Sequence, residues 1–395
     1  MLEKLVAKLQ SAPDYIVPFL VILTILVFVH EMGHYLIARW NGVRVEVFSI
    51  GFGPELFGWN DRHGTRWKVS LVPLGGYVKM FGESEEGEEQ TPASAKLRAE
   101  ETAARYRARG LAPPSPEESF HVKRVGQRAA IVAACPAANY LFALLVFTLL
   151  FVTVGQRVTP PSITSIVPGS AAEKAGLLPG DLILKIDGQS IARFEQIVGI
   201  VQLRPGVAMD FVVRRDGAER TLKVTPALKE QADVFVNVHR IGHIGVSHEG
   251  GSVMVRHGPI DAAAQAGRET WNLTWGTLTA IGQMIVGTRN ADELGGPIRI
   301  AKFSGDVWRL DAGAILSFMA YLSISLGLIN LFPVPMLDGG HLLFYAAEVV
   351  RGRPLGPRLQ EYGFRIGLAL VLGLLVFATW NDLVYLREVF KGLIT

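Results

Sequence analysis

The chain has 395 residues, of which 49% are hydrophobic and only 19% are charged, and its mean hydropathy is +0.29. This apolar excess predicts membrane-embedded helices beside a folded domain. A single cysteine, Cys135, excludes an intrachain disulfide and a multi-cysteine metal cluster. The net charge of +3 and the lack of a basic stretch interleaved with aromatic residues argue against a nucleic-acid partner.

Four segments are long and apolar enough to span a bilayer, which takes roughly 20 helical residues. The predicted fold class is therefore a polytopic α-helical membrane protein with four transmembrane helices, assigned to residues 1–40, 129–154, 311–340 and 364–382. Lys and Arg are equally numerous beside the spans on the two faces, so the positive-inside rule does not orient the chain. Four spans place both termini on one side of the membrane.

The segments between the spans differ in character. Residues 41–81 alternate like strands and contain Gly-rich turns, which predicts a membrane-associated β-hairpin or sheet. Residues 82–128 form a charged insertion, with one exposed helix expected near 96–109. Residues 158–228 read as a compact unit of short strands and helices. Residues 229–310 are expected to be a strand linker followed by an amphipathic helix. This helix lies on the membrane surface, against the spans or against another domain.

The first span contains the sequence His30-Glu31-Met32-Gly33-His34, which matches H-E-x-x-H. On a helix, residues i and i+4 lie on one face, so both imidazoles can reach one ion while Glu31 lies beside it to transfer protons. A zinc hydrolase uses this spacing for that reason. An ionisable residue within a span indicates function. The alternative is that these side chains only form polar contacts between helices.

Two histidines leave zinc short of a third protein ligand. Asp338 is the best placed carboxylate, at the far end of the third span, where Pro333 and Pro335 break the helix. Broken backbone at membrane depth is tolerated only beside a protein-lined cavity. With four spans, the His34 end of the first span and the Asp338 end of the third lie on the same side. His341 remains a rival ligand.

The chain resembles the site-2 proteases, which are intramembrane zinc metalloproteases, and is most similar to their bacterial RseP branch. The resemblance rests on HEMGH, PLGGYVKMFGE, AGLLPGDLILKIDGQSI and NLFPVPMLDGG, and it covers nearly the whole chain. It implies that His30, His34 and Asp338 bind Zn²⁺ and that Glu31 is the general base. It also implies that Asn330 contacts substrate or stabilises the developing oxyanion.

The resemblance further implies that residues 158–228 are one inserted α+β PDZ domain. Such a domain would capture a peptide or a periplasmic partner by strand addition, or would only limit access by its size. The implied location is the bacterial inner membrane, with the termini and the PDZ domain in the periplasm and the active site toward the cytoplasm. Cys135 stands where the family usually has Gly.

The expected activity is hydrolysis within the transmembrane segments of single-span membrane proteins, in regulated intramembrane proteolysis of an anti-sigma factor, in removal of remnant signal peptides, or in both. The lipid bilayer is the other expected partner. We expect the 41–81 sheet, with Gly75, Gly76 and Tyr77, to pair with locally unwound substrate. The alternative is a non-catalytic membrane scaffold with a PDZ domain, which need not hold stoichiometric zinc.

Overall fold

The computed structural model describes most of the chain from residue 13 to residue 391. The residues in that range that it leaves out are 83–101, 105, 109, 111, 233–237, 249–250, 252, 288, 292–293 and 354. The chain divides into two compact units. The first comprises residues 1–146 and 299–377, and the second comprises residues 147–298 and 378–395.

The described helices are, in chain order, α1 Pro13–Trp40, α2 Val125–Thr153, α3 Ala171–Lys174, α4 Phe194–Gln202, α5 Pro259–Val286, α6 Pro297–Trp308, α7 Ala312–Asn330, α8 Asp338–Arg351 and α9 Pro357–Lys391. The described strands are β1 Val45–Asn60, β2 Arg66–Met80, β3 Gln156–Val158, β4 Ser165–Ile166, β5 Leu182–Ile186, β6 Gln189–Ser190, β7 Met209–Arg215, β8 Ala218–Val224, β9 Ala227–Ala232, β10 Val238–His243, β11 Val246–Ser247 and β12 Val253–Val255.

Among the described residues, four helices are long and apolar enough to cross a membrane: α1, α2, α7 and residues 358–384 of α9. A helix satisfies its own backbone hydrogen bonds, which lipid cannot do for it. The third of these helices is shorter than the predicted 311–340 span, because α7 ends at Asn330. The prolines of the following turn lack the N–H that would continue the helix and restrict the residues before them.

That turn changes the position expected for Asp338. The sequence placed it at the far end of the third span, whereas the structure makes it the first residue of α8, after the N-cap Leu337. The turn closes through short backbone bonds, from Val334 N–H to the Phe332 carbonyl at 2.7 Å and from Met336 N–H to the Val334 carbonyl at 2.8 Å. The carboxylate therefore begins a helix, where the helix dipole favours a negative charge.

Strands β1 and β2 form a sheet in the first unit. The first half of β1 has partners on both sides, since Phe48 pairs with both Val78 and Trp67. Within the described part of the chain, no other strand joins this sheet. The core beneath it includes the fully buried side chains of Phe48 and Ile131, so the sheet packs against α2 as well as α1.

Asp61, in the turn between β1 and β2, fastens this sheet to α1. Its carboxylate accepts hydrogen bonds from the backbone N–H groups of His63 and Thr65, the indole of Trp67 and the hydroxyl of Tyr35 on α1. Burial alone would raise the pKa of Asp61, but these hydrogen bonds hold the pKa below its usual value. The charged carboxylate therefore remains available to fix the turn.

The second unit contains a β domain, which we define as residues 158–248. A four-stranded sheet in the order β6-β5-β7-β8 and the helices α3 and α4 enclose one core that includes Ile163, Phe211 and Ile244. The strand β11 pairs with β4. The domain therefore extends past the predicted boundary at residue 228, because residues that follow β8 complete its core.

Most of the predicted helix near 96–109 lies outside the described residues. The structure does describe helical turns at 102–104 and 106–108. Tyr106 there is buried, and the guanidinium of Arg44 lies 4.7 Å from the centre of its ring. The end of the insertion therefore packs against the protein.

In α5, the exposed rings of Trp271 and Trp275 stack 6.3 Å apart.

A buried ion pair supports the β domain. Asp181 is fully buried, and both its oxygens accept hydrogen bonds from the guanidinium of Arg215, each at 2.7 Å. The backbone N–H of Leu178 donates a third bond at 2.9 Å. Burial alone would raise the pKa of Asp181, but the partners Arg215 and Leu178 lower it below the usual value.

The substitution Asp181→Ala should destabilise the β domain by about 3 kcal/mol, because it removes the buried carboxylate that accepts two hydrogen bonds from Arg215 and one from the backbone N–H of Leu178. Hydrogen exchange of β-domain amides in the full-length protein measures this loss. Because folding lowers the pKa of Asp181, its contribution should be complete above the usual Asp pKa, decline as the pH falls below that value, and be lost once the pH has fallen through the lowered pKa. Equal exchange protection in Asp181→Ala and the parent protein would contradict the prediction.

Candidate metal centre

The two histidines of α1 and Asp338 of α8 meet in the first unit. The Nε2 atom of His30 lies 3.7 Å from one carboxylate oxygen of Asp338, and Nε2 of His34 lies 3.6 Å from the other. Nitrogen and oxygen ligands bound at zinc's usual distances around a tetrahedron are roughly 3.4 Å apart. The three side chains are therefore spaced almost as the ligands of one ion would be.

The carboxylate of Asp338 also indicates a cation. Its Oδ2 atom is buried, and no described residue gives that oxygen a hydrogen bond. An unsatisfied buried carboxylate oxygen is costly, and most such atoms in native proteins have a partner. Two imidazoles and a carboxylate are a donor set that zinc accepts. The residues present thus fit a zinc ion.

The rings of both histidines are held from behind by α2. The carbonyl oxygen of Ile131 lies 3.0 Å from Nδ1 of His34. Since a carbonyl only accepts, Nδ1 of His34 carries a ring proton, and in the neutral ring that binds metal Nε2 then presents its lone pair toward Asp338. The side-chain amide of Asn139, two turns further along α2, lies 2.9 Å from Nδ1 of His30. Such outer contacts orient metal ligands.

Cys135 lies between these two contacts on the same face of α2. Donor atoms of His30, His34, Cys135 and Asp338 all lie within 4.8 Å of one another. The thiol, however, donates a hydrogen bond of 2.7 Å to the backbone carbonyl of His30. The candidate metal-binding cluster is therefore His30, His34 and Asp338, with the thiol as a packing group. Three protein ligands would leave a fourth position for water or substrate, as in catalytic zinc sites.

Glu31 is buried in α1 next to this cluster. Strand β2 passes close to it at Gly76. A Cβ atom added at Gly76 would lie 2.7 Å from Cγ1 of Val27 and 3.1 Å from Cγ of Glu31. Glycine is needed there because any side chain would push the strand away from α1. The structure therefore places β2 directly beside the predicted base.

The other predicted site residues lie further out. Gly75 lies against the ring of Phe52, which stacks on Tyr77 at 6.1 Å. Asn330 is the half-buried last residue of α7. Among the described residues, no hydrogen bond joins its side chain to the metal-binding cluster. The rival ligand His341 does not join the cluster either.

The packing of His341 accounts for its place outside the cluster. Its ring packs at 5.4 Å from the ring of Phe364 on α9. The burial that this contact provides suits a neutral packing side chain.

Three contributors were missed by the sequence analysis as site residues: the Ile131 carbonyl, Asn139 and Ser323, which contacts Asn139 from α7. Asn139 could have been found, because a polar side chain within an apolar span is unusual. The Ile131 carbonyl left no signal, since every residue carries one. Both missed side chains are fully buried.

Comparison with known proteins identifies the family. The profile of Peptidase family M50 matches residues 18–374. The chain belongs to this family. M50 peptidases are zinc-dependent, so the protein is a zinc-dependent metalloendopeptidase, and the four apolar helices indicate a multi-pass membrane protein. This membership argues against the non-catalytic scaffold.

Relatives of this M50 chain are similar over almost their whole length. A protein of Rhizobium meliloti named "Putative zinc metalloprotease" is 47% identical over 94% of this chain and 97% of that protein. The metalloprotease MmpA of Caulobacter vibrioides is 39% identical over 93% of this chain and 95% of its own.

Among solved structures, the PDZ domain of an SdrC-like protein from Listeria innocua has 19% sequence identity to this M50 chain and a TM-score of 0.19. The matched region covers 25% of this chain and 99% of the Listeria domain.

Replacing zinc by cobalt(II) would test which donors bind the metal, because a thiolate ligand adds a charge-transfer band in the near ultraviolet. Cys135 is the only cysteine, so any such band must come from it. We expect the parent protein to lack the band, since the thiol is bonded to the His30 carbonyl, and Cys135→Gly to bind one cobalt ion with the same spectrum. A band that disappears in Cys135→Gly would instead make the thiol a ligand.

Proposed function

We propose that this M50 peptidase hydrolyses peptide bonds inside the transmembrane segments of single-span membrane proteins. The observation that carries the proposal is the position of the cluster. His30 and His34 lie on α1, which is apolar enough to span the membrane. Asp338 meets them from the start of α8, which follows α7, another such helix, after a short turn. A hydrolytic site built on these helices lies at membrane depth, where its substrate must also lie.

His30, His34 and Asp338 would hold the zinc ion. When bound, zinc acts as a Lewis acid that polarises a carbonyl and activates water for attack. Glu31 follows His30 on the same helix and is the proposed general base, which takes a proton from the attacking water and returns it to the leaving amine. Its burial beside the cluster keeps the carboxylate close to the reacting groups.

Substrate would bind along β2. A transmembrane helix hides its peptide carbonyls in its own hydrogen bonds, so a bond can be cut only after local unwinding. The opened backbone then needs new partners, which lipid does not offer. The Gly75-Gly76-Tyr77 stretch of β2 supplies such groups next to Glu31, and strand addition would hold the substrate extended there.

The proposed location and substrates rest on the resemblance to the bacterial site-2 proteases. We propose an inner-membrane protein with both termini and the β domain in the periplasm and the active site toward the cytoplasm. The β domain would act as a PDZ domain that binds a peptide or periplasmic partner, or limits access by its size. Anti-sigma factors in regulated intramembrane proteolysis and remnant signal peptides are the proposed substrates. Asn330 would contact the substrate or stabilise the oxyanion.

The substitution Glu31→Gln tests the catalytic assignment. It should lower cleavage of a single-span model substrate by a factor of about 10² to 10⁴ and leave one zinc ion bound per chain, because the amide keeps the shape but cannot accept the water's proton. The matched variant Asp338→Asn should lose zinc as well as cleavage. Purified proteins are compared by metal analysis and by gel-based cleavage. Normal turnover by Glu31→Gln would reject this role.

The substitution Gly76→Ala tests substrate binding at β2. The added methyl group should displace the strand from Val27 and Glu31, and a displacement of about 1 Å can lower the rate about 10²-fold. Zinc content should not change, because Gly76 does not contact the metal-binding cluster. The control is Gly126→Ala in α2, where an added Cβ meets no atom within 4 Å. Zinc loss with normal cleavage by the loaded fraction would contradict the strand-pairing role.

A further inference from the structure

We propose that Asn139 is a positioning residue: its side-chain oxygen accepts the Nδ1 proton of His30 and so leaves Nε2 of His30 with a free lone pair toward Asp338. The inference rests on the proposed ligand set and adds a requirement to it. Of the two histidines, His34 already has its ring proton fixed by a carbonyl, whereas the partner of His30 is an amide that can either donate or accept.

The two ends of the amide have opposite consequences for His30. In the structure, Nδ2 of Asn139 is the amide atom that lies 2.9 Å from Nδ1 of His30. We call this arrangement of the amide oxygen and nitrogen the placed order. A donating Nδ2 would require the lone pair on Nδ1 and hence the ring proton on Nε2, where metal should bind. A half-turn of the amide about its Cβ–Cγ bond exchanges the oxygen and the nitrogen without moving any other group. Zinc binding through Nε2 requires this turned order.

Ser323 on α7 shows that the turned order is also the better one for hydrogen bonding. Its hydroxyl lies 2.9 Å from the backbone carbonyl of Asn139 and 3.4 Å from Oδ1 of the same residue. A hydroxyl has one proton, so in the placed order these two acceptors compete for it. In the turned order the hydroxyl donates to the carbonyl and accepts from Nδ2.

The turned order therefore forms a chain in which every group has a complementary partner. His30 Nδ1–H donates to Asn139 Oδ1, Asn139 Nδ2–H donates to Ser323, and Ser323 donates to the Asn139 carbonyl. Asn139 and Ser323 are both fully buried, so water cannot satisfy a mismatched group. Three helices, α1, α2 and α7, thus set the proton position on one metal-binding ring.

Zinc affinity of full-length protein in detergent tests this role directly. Protein stripped of metal is titrated with zinc against a competing chromophoric chelator. The unfolding temperature of the metal-free protein is also measured, because it shows whether a variant is still folded. Asn139→Leu removes the acceptor and should weaken zinc binding 10- to 100-fold. Asn139→Asp keeps an acceptor and no donor, so it should bind zinc at least as tightly as the parent protein. Asn381→Leu, which removes another buried amide from a possible spanning helix, should leave zinc affinity unchanged.

A double-mutant cycle isolates the part played by Ser323. Ser323→Ala should weaken zinc binding in the parent protein, because the amide loses the group that fixes its order. It should have no effect in Asn139→Asp, since the two oxygens of a carboxylate are equivalent and need no ordering. This comparison also decides the matter if Asn139→Leu does not fold. Equal effects of Ser323→Ala in both backgrounds would overturn the proposed ordering.

Other outcomes separate this inference from the function on which it depends. If Asn139→Asp loses zinc as Asn139→Leu does, or if Asn139→Leu binds zinc like the parent protein, Asn139 does not position His30. If the parent protein binds no zinc, or if zinc binding survives removal of both His34 and Asp338, the ligand set itself is wrong.

Discussion

The close approach of α1 and α2 is the constraint on which the site depends. It is made possible by Gly33, inside the H-E-x-x-H sequence: a Cβ atom there would lie 2.5 Å from the carbonyl oxygen of Ala134 and 2.9 Å from Cα of Cys135. At this separation, groups on one face of α2 lie within hydrogen-bond distance of the Nδ1 atoms of both His30 and His34. A larger residue would separate the helices and remove the contacts that orient both rings.

The break between α7 and α8 positions the carboxylate of Asp338, the third candidate ligand. A continuous helix would have kept Asp338 on the axis of α7, whereas the turn with two prolines ends α7 at Asn330 and starts a new helix at Asp338. Irregular backbone is expensive within a membrane unless protein surrounds it. The short hydrogen bonds within the turn reduce that cost. The turn therefore helps to position a candidate metal ligand and is not merely a connection.

The β1–β2 sheet packs against α1 beside Glu31. Asp61 fastens its turn to Tyr35 on α1, and Gly76 allows β2 to reach Glu31. Both contacts are made to the helix that carries the histidines. The proposed base, the metal-binding side chains and the candidate substrate strand therefore share one support, so that their relative positions are fixed by packing rather than by flexible loops.

The sequence by itself determined the candidate chemistry, because the four-residue spacing of His30 and His34 sets a common helical face, with Glu31 beside it, through a local period that needs no tertiary information. It also pointed to Asp338, although it placed that residue in the wrong helix. Only the tertiary structure showed the contacts with Asn139, the Ile131 carbonyl and Gly76. Those depend on the rotation and separation at which helices and strands pack, and local periodicity does not specify either quantity.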